Sequence, residues 1–309
     1  MVIFNIDENF KVENNWAPGT FNTWIVAEGE EVNTLQYEFH EECIKECLDY
    51  NQAQRIDYFN DYIFMLVNII DHEELQILSK ELDIFLGKDF IITVYKSPIK
   101  MLIELVDDIR ENKNCQLLND LKNPAIVLYY ILDRVIVKNY NLISDLEGKG
   151  DKIELDILKE PNSEQLNELL FIRRETYKLR KLLKPLRYIG DTLLLNENGI
   201  ISEDCIDYFR NANRKLEKLM MSLDNLSQEL AMVREAYESE IANKTNELMK
   251  VFTIITAIFL PLELITAVFS MSFDYMPFKG YVFGFYGLII FLLTVALSLL
   301  GIFKLKRIL

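Results

Sequence analysis

Apolar residues occur in short periodic groups through most of the chain and then gather into two long runs near its C-terminus. Alternating or continuous apolar stretches at 23–27, 62–70, 82–86 and 90–95 predict strands, the last two joined by a turn at Gly87-Lys88-Asp89. Residues 41–58 carry helical spacing, so residues 1–100 read as a cytoplasmic α/β domain. From about Pro98 the strand signals stop. Helical spacing then continues to Leu195, with a break expected at Glu147-Gly148-Lys149-Gly150-Asp151, which makes 101–200 a helical region.

No glycine lies between Gly199 and Gly280 and no proline between Pro185 and Pro261, so nothing in that interval breaks a helix. Within it, Phe209, Ala212, Leu216, Leu219, Leu223, Leu226, Leu230, Val233 and Tyr237 recur in steps of three and four, the spacing of a coiled-coil seam that then shifts towards Ile241 and Leu248. A helix running from about Ser202 to near Met271 would reach roughly 105 Å at about 1.5 Å per residue. It would carry a stalk over 201–250 and enter the first long apolar run, 251–273, in which Glu263 is the only charge. The second run, 281–303, has none. Each exceeds the roughly 20 residues that span a bilayer, which predicts two transmembrane helices joined by an external loop at 274–280 and followed by a basic tail at 304–309.

Continuing the three-and-four spacing through the first span places Met249, Phe252 or Thr253, Thr256, Leu260, Glu263, Ala267 and Ser270 on one face. A carboxylate at the bilayer centre costs about 2.5–3.5 kcal/mol, so Glu263 should face protein or water. Its functional reading is a ligand for a hydrated cation, and its structural reading is a hydrogen bond between helices. Two spans cannot enclose an aqueous path, so a pore requires several copies around an axis. Glu263 would then repeat once per copy, and those carboxylates repel unless a cation such as Mg²⁺, which dehydrates reluctantly, sits among them.

Charge sets the orientation and excludes some partners. Lys244 and Lys250 precede the first span and Lys304, Lys306 and Arg307 follow the second, so both termini should be cytoplasmic in an inner or plasma membrane. The N-terminus shows no basic region followed by an apolar run, so no cleavable signal is expected. A net charge of −15 over 309 residues argues against nucleic acid. The four cysteines show no disulfide spacing; His40, Cys43 and Cys47 share one helix face, where ordinary packing competes with a soft-metal site. No nucleotide-binding loop, nucleophile elbow or His-Glu-x-x-His motif is present, so the chain is not expected to be an enzyme or to need an organic cofactor.

The segments Tyr237-Glu238-Ser239, Asn243-Lys244-Thr245-Asn246-Glu247-Leu248-Met249-Lys250-Val251, Phe259-Leu260-Pro261-Leu262 and Phe273-Asp274-Tyr275-Met276-Pro277 resemble the stalk and first span of the CorA family of magnesium transporters. Weaker similarity covers 84–94 and the regions around Leu132-Asp133, Arg173-Arg174 and Pro185-Leu186-Arg187. The resemblance implies an α+β cytoplasmic domain, a stalk helix continuous with the pore, a funnel-shaped homopentamer in the lipid bilayer, and passage of Mg²⁺, often with Co²⁺ and Ni²⁺. It also implies that Met249, Phe252 and Leu260 form a hydrophobic constriction.

The chain departs from the family at several of these positions. Where the family has Gly-Met-Asn at the pore mouth, this chain has Ser270-Met271-Ser272, and Glu263 stands where the family usually has a neutral threonine. Asn211 and Arg214 replace acidic positions of the family's regulatory metal sites, and Asp274 is the anion left at the outer entrance. The altered mouth keeps open a zinc or proton-coupled metal transporter, and a non-conducting membrane-anchored sensor is the reading from a different class.

Overall fold

The computed structural model describes residues 1–35, 37–49, 52–73, 75–111, 113–271 and 282–305. These fall into two units, Met1–Arg234 and Glu235–Leu309.

The first unit is built on a seven-stranded sheet in the order β2-β1-β3-β7-β6-β5-β4. Its strands are β1 (Val2–Asn5), β2 (Lys11–Glu13), β3 (Thr23–Glu28), β4 (Arg55–Tyr58), β5 (Tyr62–Glu73), β6 (Gln76–Gly87) and β7 (Phe90–Tyr95). All described neighbours are antiparallel except β3 and β7, which run parallel from Thr23↔Phe90 to Glu28↔Tyr95. The turn expected at Gly87-Lys88-Asp89 joins β6 to β7, with Leu86 opposite Ile91. Residues 62–67 and 82–86 are buried throughout because both sheet faces are covered, which is why these strands read as continuous apolar runs.

The helix expected over 41–58 ends early: α1 (Glu41–Leu48) stops at Asp49, and Arg55–Tyr58 is the edge strand paired with β5. Pairing with a strand already fixed in the core outweighs the local helical spacing. Helix α1 covers one sheet face, where Cys43 and Cys47 pack with Phe64, Phe85, Ile92 and Val94. The other face receives α4 (Pro124–Lys159) and α5 (Ser163–Leu193), with α2 (Lys100–Arg110) and α3 (Gln116–Asp120) against α4. Asn123 caps α4 through a 2.8 Å bond from Ala125 N–H, with Pro124 in the first turn. Asn162 and Gln165 form a reciprocal capping box on α5.

The break expected at 147–151 is absent. Helix α4 runs through both glycines, and a Cβ on Gly150 would lie 3.2 Å from Leu230 Cδ2, so this glycine serves close helix packing instead of a turn. The helix ends where Pro161 and the Asn162 cap begin the next one.

Helix α6 (Glu203–Ser270) is unbroken over 68 residues, in agreement with the expected rod. Its seam is filled within the chain: Phe209, Ala212, Leu216, Leu219, Leu223, Leu226, Leu230 and Val233 are all buried. Ion pairs Lys215–Asp133 (2.6 Å), Arg187–Glu217 (3.4 Å) and Arg180–Asp224 hold this stretch to α4 and α5. The expected coiled-coil reading is corrected to that extent, because α4 and α5 supply the apolar faces that a second copy would otherwise provide. Past Val233 the cover ends; Tyr237 is half-buried, and Ile241 and Leu248 are exposed. Helix α7 (Val282–Leu305) is the second apolar helix.

Candidate ion pathway

The second unit contains two helices long and apolar enough to cross a membrane, the C-terminal part of α6 and α7. On α6 only one face is covered. Ile254 is 9 % exposed, and Ala257, Ile258, Pro261, Leu262 and Ile265 are half-buried, in the i, i+3, i+4 order of a single helical stripe. Helix α7 has a matching half-buried stripe at Gly284, Leu288, Leu292, Val295, Ala296, Leu299 and Phe303.

At about 100° per residue, the positions singled out in the sequence fall on the opposite side of α6 from that covered stripe. Met249, Phe252 and Leu260 are 58 %, 67 % and 61 % exposed, and Thr256, Glu263, Ala267, Ser270 and Met271 are exposed as well. The structure therefore brings Met249, Phe252, Thr256, Leu260, Glu263, Ala267 and Ser270 onto one uncovered stripe. Going back along the helix, the same spacing includes Ala242 and Glu235, both exposed.

The polar atoms on this stripe are already satisfied where the chain can do so itself. Thr253 and Thr256 hydroxyls donate to the carbonyls of Met249 (2.7 Å) and Phe252 (2.9 Å), and the Ser270 hydroxyl donates to Ala267 (2.8 Å). Thr253 and Thr256 line an open groove together with Phe252, Ala257, Leu260 and Pro261. Among the described residues, Glu263 has no ion pair.

Asn211 and Arg214 lie on an exposed face of α6, away from the buried seam, and so are available to a neighbour. Ser272, Asp274, Lys306 and Arg307 lie outside the described residues, as do the loop and most of the basic tail.

His40, Cys43 and Cys47 do not converge as ligands. Both thiols are buried in the core and their pKa values are raised by burial, Cys43 to about 11, whereas His40 is exposed beside Phe59. A neutral buried thiol is a small apolar side chain. Among the described residues, no group of three His, Cys, Asp or Glu side chains is placed to hold a metal.

Comparison with known proteins covers nearly the whole chain. The family described as CorA-like Mg2+ transporter protein matches residues 23–307. The cobalt/magnesium transport protein CorA of Thermotoga maritima is 23 % identical over 270 residues, 87 % of this chain and 76 % of that protein. The fold matches the complete CorA magnesium transporter of Methanocaldococcus jannaschii with a TM-score of 0.82 at 18 % identity, over 98 % of this chain and 96 % of that one. It also matches a full-length CmaX protein, with a TM-score of 0.76 at 19 % identity over 99 % and 96 % of the two chains.

Proposed function

Because the chain belongs to the CorA-like Mg2+ transporter family, we propose that it assembles as a homopentamer in which the uncovered stripe of α6 from each copy lines a path for divalent cations, Mg²⁺ first. The observation that carries this reading is the division of α6 into two opposite faces. One is covered within the chain, and the other is exposed and carries Thr256, Glu263, Ala267 and Ser270 beside Met249, Phe252 and Leu260.

In this reading 201–250 is the stalk, 251–273 the pore-lining span, 281–303 the lipid-facing span, and both termini are cytoplasmic. Met249, Phe252 and Leu260 form an apolar constriction that closes by excluding water. Glu263 replaces a neutral position with a ring of carboxylates below the mouth, where a hydrated cation replaces mutual repulsion with attraction. Ser270, Met271 and Ser272 form the mouth and Asp274 attracts ions to it. Serine hydroxyls reach less far than an asparagine carbonyl, so selectivity moves inward to Glu263. With Asn211 and Arg214 in place of carboxylates, the regulatory metal sites at subunit contacts are lost. An inward divalent ion gains about 4.6 kcal/mol per 100 mV, so passive flow suffices for uptake.

The test is metal uptake into liposomes holding the purified protein under an inside-negative potential, comparing Mg²⁺, Co²⁺, Ni²⁺ and Zn²⁺. Mg²⁺ flux is the expected result; flux of Zn²⁺ alone, or none from an intact oligomer, would overturn the choice of ion or of conduction. A carboxylate–cation contact across water is worth about 1–4 kcal/mol, so Glu263→Gln should lower flux at subsaturating Mg²⁺ by roughly tenfold or more while the oligomer persists. Dissociation of the oligomer instead would make Glu263 structural.

A further inference from the structure

On the sheet face beneath α1, β6 presents the carboxylate of Asp83 between apolar Leu66 of β5 and Val94 of β7. The Asp83 side chain is fully buried, and neither of its oxygens makes a well-formed hydrogen bond; the donors that face it are the Cys47 thiol, a weak one, and the Lys96 ammonium. The nearest cation, Lys96 Nζ just beyond β7, stands 3.6 Å away. That ammonium is itself buried and already engaged, donating to the Glu81 carboxylate and to the backbone carbonyl of Asp49, the residue that ends α1. One ammonium thus joins the end of α1 to two strand carboxylates.

The ionisable groups facing Asp83 are few. Its own strand supplies Glu81, the segment after β7 supplies Lys96, and α1 supplies the Cys47 thiol, with Cys43 one turn further off. Strand β5 places Leu66 opposite Asp83 and uncharged Asn68 opposite Glu81, and β7 places Val94 opposite Asp83. Nothing on those two strands can neutralise an ionised Asp83, and Lys96 is shared with Glu81.

We propose that Asp83 is a proton-operated latch for α1, whose neutral carboxyl lets the helix close over the sheet and whose anion loosens that closure. On ionisation the proton leaves to solvent, and the anion remains in an apolar pocket unless α1 lifts to admit water. Burial, opposed by Lys96 and reinforced by Glu81, raises the Asp83 pKa from 3.8 to about 7. The folded value lies above the unfolded one. Closure is therefore fully favoured at low pH and weakens as pH rises through about 7.

Cys47 is the natural reporter, since it lies on the buried face of α1 beside Asp83, while Cys115 and Cys205 are buried elsewhere in the same chain. Thiol alkylation of the full-length protein in detergent, followed by mass spectrometry, measures all three rates at once, and the two distant cysteines correct for the reagent's own pH dependence. Between pH 6 and 8 the corrected Cys47 rate should rise about tenfold, and the rise should vanish in Asp83→Asn. A Cys47 rate that tracks the controls, or an unchanged rise in Asp83→Asn, overturns the proposal. If Asp83→Asn fails to fold, Glu81→Gln serves: it removes a repelling charge and frees Lys96, so the midpoint of the rise should move to lower pH. An unmoved midpoint would likewise refute the latch.

Discussion

Ile77 donates its backbone N–H, at 2.9 Å, to the carboxylate of Glu175, a fully buried residue of α5, and Lys178 Nζ holds the same carboxylate at 2.8 Å. One side chain thereby ties the far end of the β5–β6 hairpin to the helical layer. Burial pushes the Glu175 pKa up, but Lys178, the Ile77 N–H and Arg174 outweigh it and hold the carboxyl below its ordinary 4.5. Its contribution to stability is thus present above about pH 4.5 and is lost as pH falls through the lowered folded value. Glu175→Gln should cost about 1–3 kcal/mol at neutral pH, and denaturant unfolding should show that the difference from wild type shrinks in acid. Neither Glu175 nor Asp83 was legible in the sequence, since each sits in a stretch of ordinary polarity and its burial is a tertiary fact. Glu263 was legible because a lone charge in an apolar run needs no structure to stand out.

Helix α6 joins two environments in one element, and its side chains should respond accordingly. Leu219 is completely buried and Leu248 is 65 % exposed, although both are leucines of one helix. Leu219→Ala should destabilise the first unit by about 2–5 kcal/mol through a cavity between helices. Leu248→Ala should change unfolding of that unit by less than about 0.5 kcal/mol, as measured by denaturant titration. The extent of α6 followed from its missing glycines and prolines, because helix breakers act locally. What covers its seam did not follow, since the same heptad spacing suits a neighbouring copy or the chain's own α4 and α5. Gly150 of α4 misled for a related reason: a glycine marks a turn or a close approach equally well, and only Leu230 across the contact tells which. The short strands β1, β2 and β4 carried too few residues for periodicity to register.

At the scale of the whole chain, the two apolar spans were plain from composition, whereas the strand order was not. The parallel pairing of β3 with β7 joins residues nearly seventy positions apart, and no local signal specifies it. The opposed faces of α6 give the assembly a direct check. Disulfide formation in membranes should link copies of Thr256→Cys, on the uncovered stripe, at least several times more than copies of Ile258→Cys, on the covered one; equal yields would count against an axial arrangement of α6. Such an assembly concentrates several sheets on one small patch of membrane, a setting in which an open sheet edge would invite strand exchange between neighbours. The two edges are built against that outcome. Strand β2 has three residues, with Lys11 held between Glu8 and Glu13, and β4 has four, with Arg55 held between Glu46 and Asp57. Edges this short and this charged give an incoming strand little to template on, so copies can crowd together during biogenesis without zipping into aggregates.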